Sequence, residues 1–198
     1  MTKRGDSTLV VRPVLPGEGG SFPTSPLQLC VRPITLRAAN DFVQEHHRHN
    51  GRTSRDGGKF AVACEYGNDL VGVAIVGNPL SATYMNKEVF GFVAEVLRTC
   101  TKDVAPKGCV SFLYGVCTRI CRDMGYDRLI SYTLTDESGA SLRGAGWKNT
   151  GDTKPVAPGW RKKDHLSETR EYQEVMGKVK HRWECQLRQN PRGSRYGS

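Results

Sequence analysis

The chain has 198 residues, 29 Lys+Arg against 20 Asp+Glu, a formal net charge of +9 and 37% hydrophobic residues. That length suits one domain with a real core, and no apolar run approaches the roughly 18 residues a membrane-spanning helix needs. Seven cysteines, an odd number without paired spacing, argue against a disulfide framework or a zinc finger and for a reducing, cytoplasmic setting.

Residues 1–28 hold Pro13, Pro16, Pro23 and Pro26 among Gly and Ser, the composition of a flexible arm. The opening residues lack the apolar segment of a signal peptide. A single domain is expected over 29–190, with a basic tail at 191–198. Val31 to Leu36 reads as a short strand, and Thr35 is placed to cap a helix from Arg37 to about His47, with Ala38, Phe42 and Val43 on one face. After a polar loop from Gly51 to Gly58, Lys59–Tyr66 and Leu70–Gly77 are strands flanking a Gly67-Asn68-Asp69 turn.

A strand is expected at about Val89–Thr101, then a loop, then a helix opened by Pro106 and Lys107 and running to Met124. Its residues Val110, Leu113, Tyr114, Cys117, Ile120, Cys121 and Met124 follow one helical stripe, and Gly125 stands where a left-handed residue ends a helix. Arg128–Leu134 predicts a strand, Asp136–Ala145 a short helix, Trp147–Thr150 the start of a strand and Lys178–Leu187 the last strand. Residues 152–174 have a loop's composition.

The charge is uneven. Residues 1–37 carry five cations against two anions (+3), residues 38–151 thirteen against twelve (+1), and residues 152–198 eleven against six (+5). Basic ends around a nearly neutral centre can steer a polyanion, or simply keep the protein dissolved. Trp160, Tyr172, Trp183 and Tyr196 interleave with the C-terminal cations, where bases could stack on them, although Trp183 fits better as a residue packed in a strand. Arg161, Lys162 and Lys163 beside Trp160, with Arg48, are the candidate nucleic-acid contacts.

The buried strand, its cationic glycine-bearing loop and the following helix N-terminus together suggest an anion site. Lys107, Gly108 and the amides at Cys109 and Val110 would form it. Arg98 could fork onto a phosphate or carboxylate, or pair with Glu95 or Glu137. Glu95 could act as a general base or belong to an ion pair. It sits three residues from Arg98 and so on the opposite strand face, unless a bulge intervenes. Tyr132 could return a proton to a leaving group, or be a core tyrosine. In His46-His47-Arg48-His49, His47 and His49 could deprotonate an amine, the cluster could hold a metal, or the helix dipole could stabilise it. Cys109 is either a reactive thiol at a helix start or a small buried residue. Ser138 reads as a cap or a cofactor-tail contact.

The element order β-α-β-β-β-α-β-α-β resembles the fold of the GNAT acyltransferases. The resemblance implies an α/β (α+β) architecture, with a mixed, mostly antiparallel central sheet flanked by helices. It implies that the fourth and fifth strands splay and that acetyl-coenzyme A or a related acyl-coenzyme A lies between them. The family's pyrophosphate loop reads Arg/Gln-x-x-Gly-x-Gly/Ala. Here Arg98, Lys107 and Gly108 occupy that region in a longer loop without Gly-x-Gly, with Thr99, Cys109 and Ser138 as further cofactor contacts.

Pieces such as His46-His-Arg-His, Glu95-Val-Leu-Arg-Thr-Cys-Thr and Lys178-Val-Lys-His-Arg-Trp resemble a phage and prophage group of GNAT-like proteins. A more distant likeness, through Arg98, Ser131-Tyr132, Gly146-Trp147 and Thr150-Gly151, is to the bacteriophage Mom DNA-modification proteins. These resemblances imply a phage- or prophage-encoded transferase in a bacterial host, with DNA as partner, adding an acyl-derived group to an exocyclic amine of a base. Duplex DNA would then require base flipping. An N-acetyltransferase for a small amine or protein and an inactive binding module are the alternatives, and a homodimer stays open.

Overall fold

The Thr35 hydroxyl accepts a hydrogen bond from the Ala38 amide at 3.2 Å, so the first strand hands over to the first helix at the expected cap. The structure, a computed structural model, describes residues 28–47, 51–53, 57–155 and 177–188. The expected arm and the basic tail at 191–198 lie outside them. Chain order is β1 (Leu29–Ile34), α1 (Leu36–His46), β2 (Gly58–Tyr66), β3 (Asp69–Gly77), a 3-10 turn (Ala82–Met85) and α2 (Lys87–Phe90). Then follow β4 (Val93–Thr101), α3 (Cys109–Asp123), β5 (Arg128–Leu134), α4 (Ala140–Gly144), β6 (Lys148–Asp152) and β7 (Lys180–Gln186).

The seven strands form one sheet in the order β1-β2-β3-β4-β5-β7-β6. Every neighbouring pair is antiparallel except β4 with β5, which is parallel. The architecture is mixed α/β with a mostly antiparallel sheet, as the resemblance implied. β3 is buried along both faces from Val71 to Gly77, which explains why its sequence is nearly all apolar. Cys64, Ala74, Val76, Ala94 and Val96 pack under α3 residues Leu113 and Cys117. On the other face, Ala61, Val73, Ile75 and Cys100 pack against α1 residues Ala39, Phe42 and Val43. These two layers are called the α3 face and the α1 face below.

Three element starts move by three residues or more from expectation, each for a local reason. The strand expected from about Val89 begins at Val93, because the Asn86 side chain accepts from the Glu88 and Val89 amides and caps the short α2, and Gly91 at φ 72° turns the chain out of it. α3 starts at Cys109 rather than Pro106. Gly108 sits left-handed at φ 91°, and the Cys109 amide closes a tighter turn onto the Pro106 carbonyl at 3.2 Å. α4 keeps only Ala140–Gly144 of the expected 136–145, since the Glu137 carboxylate turns back to accept from the Leu134 amide at 2.9 Å and Gly139 takes φ 63°. Gly125 ends α3 with φ 89°, as expected.

Candidate active site

β4 and β5 pair at three positions only, Val93 with Arg128, Ala94 with Leu129 and Glu95 with Ile130. Beyond them the strands part, and β5 instead stays paired with β7 along its whole length to Leu134 opposite Lys180. The gap opens a cleft of about 460 Å³, lined by β4 from Glu95 to Thr101, β5 from Ser131 to Leu134, the residues leading into α4, and His46 and His47. The backbone edges that face the gap have no strand partner, which suits them to an extended, amide-bearing chain.

A bulge decides what faces this cleft. Ile75 pairs with Arg98 while its neighbour Val76 pairs with Val96, so Leu97 is an extra residue on β4. One inserted residue reverses the alternation of side chains. Glu95 and Arg98, expected on opposite faces of a regular strand, therefore share the α1 face with Cys100. Val96 and Thr99 share the α3 face. The exception foreseen for a bulge is the case that holds.

On the α1 side, Glu95 is 3% exposed, and one carboxylate oxygen accepts from the Leu80 amide at 2.8 Å. Tyr132 faces it from β5; burial, then the charge of Glu95, pushes its phenol above the ordinary tyrosine range. Arg98 donates from Nε to the Gly51 carbonyl at 3.0 Å and from Nη1 to the Leu97 carbonyl at 2.7 Å. The half-buried ammonium of Lys180 on β7 completes this wall. Burial lowers its pKa; Glu95 opposes that and Arg98 adds to it. His46 ends α1 with its ring edge-on to Phe42 at 4.5 Å, and His47 is the helix C-cap.

On the α3 side, burial raises the Tyr114 phenol, with the Ser131 hydroxyl opposing. Ser131 Oγ donates to the Val96 carbonyl at 3.2 Å across the gap. Thr99 Oγ1 is buried near Tyr114 yet makes no hydrogen bond of normal geometry. That orphaned hydroxyl suits a polar partner on a ligand lying in the gap.

The other sequence candidates are placed as follows. Thr101 and Val110, on either side of the β4–α3 loop, line the cleft, while Lys107, Gly108 and Cys109 are outside the lining residues at the start of α3. Nothing lies within 4 Å of the position a Cβ on Gly108 would take. Cys109 turns its thiol inward, 3.5 Å from the Cys64 sulfur. Burial raises its pKa, so the reading as a small buried residue fits and the reactive thiol does not. Ser138 Oγ accepts from the Ala140 amide at 3.3 Å and also lines the cleft. Arg48, His49, Arg161, Lys162 and Lys163 lie outside the described residues. Among the described residues no three His, Cys, Asp or Glu side chains converge to hold a metal, and no helix is long and apolar enough to cross a membrane. Lys180 was missed at the sequence level: only the β5–β7 register brings it to the cleft, and nothing local announces that register.

No protein-family model and no curated protein matches the sequence. Solved structures do match by shape. The ribosomal-protein-S18-alanine N-acetyltransferase of Escherichia coli aligns with TM-score 0.55 at 9% identity, over 85% of this chain and 100% of that one. A GNAT family acetyltransferase from Elizabethkingia anophelis with acetyl-CoA bound gives 0.51 at 13% identity, over 80% and 97%. The chain has the fold of the GNAT acetyltransferases. An IAA acetyltransferase from Bacillus cereus shares this GNAT fold too, at TM-score 0.54 and 10% identity over 80% of this chain and 99% of that one.

Proposed function

We propose that the protein is an acyl-coenzyme A-dependent N-acyltransferase acting on the amine of a small molecule or a protein, with acetyl-coenzyme A as its donor. The observation that carries this reading is a buried carboxylate and a high-pKa phenol, Glu95 and Tyr132, facing one another across the gap between β4 and β5. The acetyl-CoA- and CoA-bound neighbours of the same fold support the choice of donor.

The residues present fit such a group: open strand edges for its amides, the orphaned Thr99 hydroxyl, and the α3 start with Lys107 and Gly108 for an anion. Bound there, acyl-coenzyme A supplies a thioester. Glu95, its carboxylate fixed by the Leu80 amide, takes the proton that an incoming ammonium must lose. Tyr132, held protonated by its surroundings, returns a proton to the departing thiolate. Arg98 anchors the Gly51 loop and adds positive potential to the same wall. His47, at the cleft mouth, is a second proton acceptor for the amine.

A nucleic-acid acceptor, in the manner of the Mom proteins, rests on the +9 charge and on residues that lie outside the described ones. No observation at the cleft favours it. Calorimetric titration with coenzyme A, followed by thiol release from acetyl-coenzyme A with amines and with DNA, separates the possibilities. Coenzyme A should bind, and Glu95→Gln should keep that binding while turnover falls about 10²- to 10⁴-fold. Absence of coenzyme A binding, or full turnover by Glu95→Gln, would sink the proposal. A modified nucleoside in treated DNA would move the acceptor to nucleic acid.

A further inference from the structure

We infer that the acceptor of this reaction carries a carboxylate as well as its amine, and that Lys180 is the residue that selects for it. The inference rests on the acyl-transfer reading and extends it from reaction to substrate class. Its basis is the charge layout of the α1 wall. Glu95, at the point where β4 and β5 part, offers one buried negative charge. Lys180 reaches the same cleft from the opposite side, because β7 pairs with β5 and sets Lys180 beside Leu134 on the face shared with Tyr132. Arg98 adds a second cation on β4, on the Glu95 side of the gap.

The partners differ. Arg98 donates to two backbone carbonyls, and the other cations nearby on this face are paired, Arg128 with Glu184 at 3.0 Å and Arg182 with the same carboxylate at 3.2 Å. The Lys180 backbone amide donates to Thr153 Oγ1, but among the described residues its ammonium makes no hydrogen bond or ion pair. A half-buried ammonium with no hydrogen bond or contact ion pair, its burial only partly offset by the charge of Glu95, is costly, and an anionic group on a ligand would offset that cost. Burial lowers the Lys180 pKa, which is the same cost expressed as a proton affinity.

The charge order defines the ligand. A substrate ammonium belongs beside Glu95, and an anionic group belongs a short distance away at Lys180. A carboxylate fits better than a phosphate. Lysine is a point charge rather than a fork, so one ammonium matches a monoanion, and a phosphate dianion would meet the buried Glu95 charge with little to balance it. The acceptor class is therefore an amino acid, or a small molecule that carries a carboxylate near its amine.

The test compares matched acceptors on the full-length protein by thiol release from acetyl-coenzyme A: amino acids against their decarboxylated amines and against their methyl esters. Coenzyme A binding is measured separately by calorimetry. The wild-type kcat/KM should favour the carboxylate-bearing member by about ten- to a hundredfold, the range of a charge-assisted hydrogen bond. Lys180→Met should collapse that ratio to within about threefold, mostly through KM, and Lys180→Arg should restore it. Thermal melting confirms that each variant is folded. Turnover of amines with no preference for the carboxylate, or a preference that survives Lys180→Met, overturns the inference while leaving acyl transfer intact. No turnover of any amine despite coenzyme A binding overturns both.

Discussion

Gly139 stands at φ 63° just before α4, in the cleft wall. A Cβ built on it would come within 2.1 Å of Trp183 Cζ2 and 2.7 Å of Cη2. Trp183 is 2% exposed, and its indole N–H donates to Thr133 Oγ1 at 3.0 Å, so the ring cannot move without losing that bond. Gly139→Ala therefore carries two costs. A left-handed alanine costs roughly 1–2 kcal/mol, and forcing atoms into a packed core adds about 1–3 kcal/mol. Together they remove on the order of 2–5 kcal/mol from a fold of ordinary stability. Urea denaturation followed by circular dichroism measures this directly, with an unchanged m value expected. Gly139→Asn divides the two costs, since asparagine tolerates the left-handed region but brings the same Cβ. If the clash dominates, both variants suffer alike. A loss below about 1 kcal/mol in Gly139→Ala would refute the claim that Trp183 is fixed against this turn.

Two further outcomes follow from groups pushed off their ordinary pKa values. Tyr132→Phe should lower kcat by about 10²-fold or more with a smaller change in the amine KM; a kcat within about threefold of wild type would remove the phenol from the reaction. Burial pushes the Cys64 and Cys121 thiols up to about 12 and Cys100 up to about 11, so the native state keeps protons that the unfolded thiols release from about pH 8.5. Stability should accordingly fall as pH rises above that point, by up to about 1.4 kcal/mol per thiol per pH unit, with the urea midpoint at pH 10 below that at pH 8. An unchanged midpoint would contradict the burial, as would rapid reaction of Cys64, Cys100 or Cys121 with a thiol reagent at neutral pH, where the exposed Cys30 should react.

Local signals in the chain were read well. Thr35, the Gly67-Asn68 turn and Gly125 each act within a few residues and sit where expected; the α3 stripe holds through Cys121, but Met124 lies past the helix end and is exposed. The cleft's position followed from the resemblance to the GNAT fold, which implies that the fourth and fifth strands part. What stayed hidden was non-local. The bulge at Leu97 is a property of the β3–β4 register, and Val96-Leu97-Arg98 carries no glycine or other mark of it. Lys180 reaches the site through the β5–β7 register, across residues 153–179 that no pattern in either strand spans. The Asn86 cap on α2 was masked by the apolar Val89–Phe90 that follows it, since a short apolar run reads equally as strand or helix.

The extra residue at Leu97 also divides β4 into two lengths of opposite phase. Before it, odd-numbered residues look toward the α1 face; after it, even-numbered ones do. Were Leu97 paired as in a regular strand rather than bulged out, Arg98 and Cys100 would exchange faces with Thr99 and Thr101, setting a guanidinium among hydroxyls and leaving Glu95 with threonines for company. Deleting Leu97 would leave Glu95 and Arg98 two residues apart and still on one face, so the acid and the cation of this strand meet because the bulge takes up the odd residue between them, whatever side chain that residue carries.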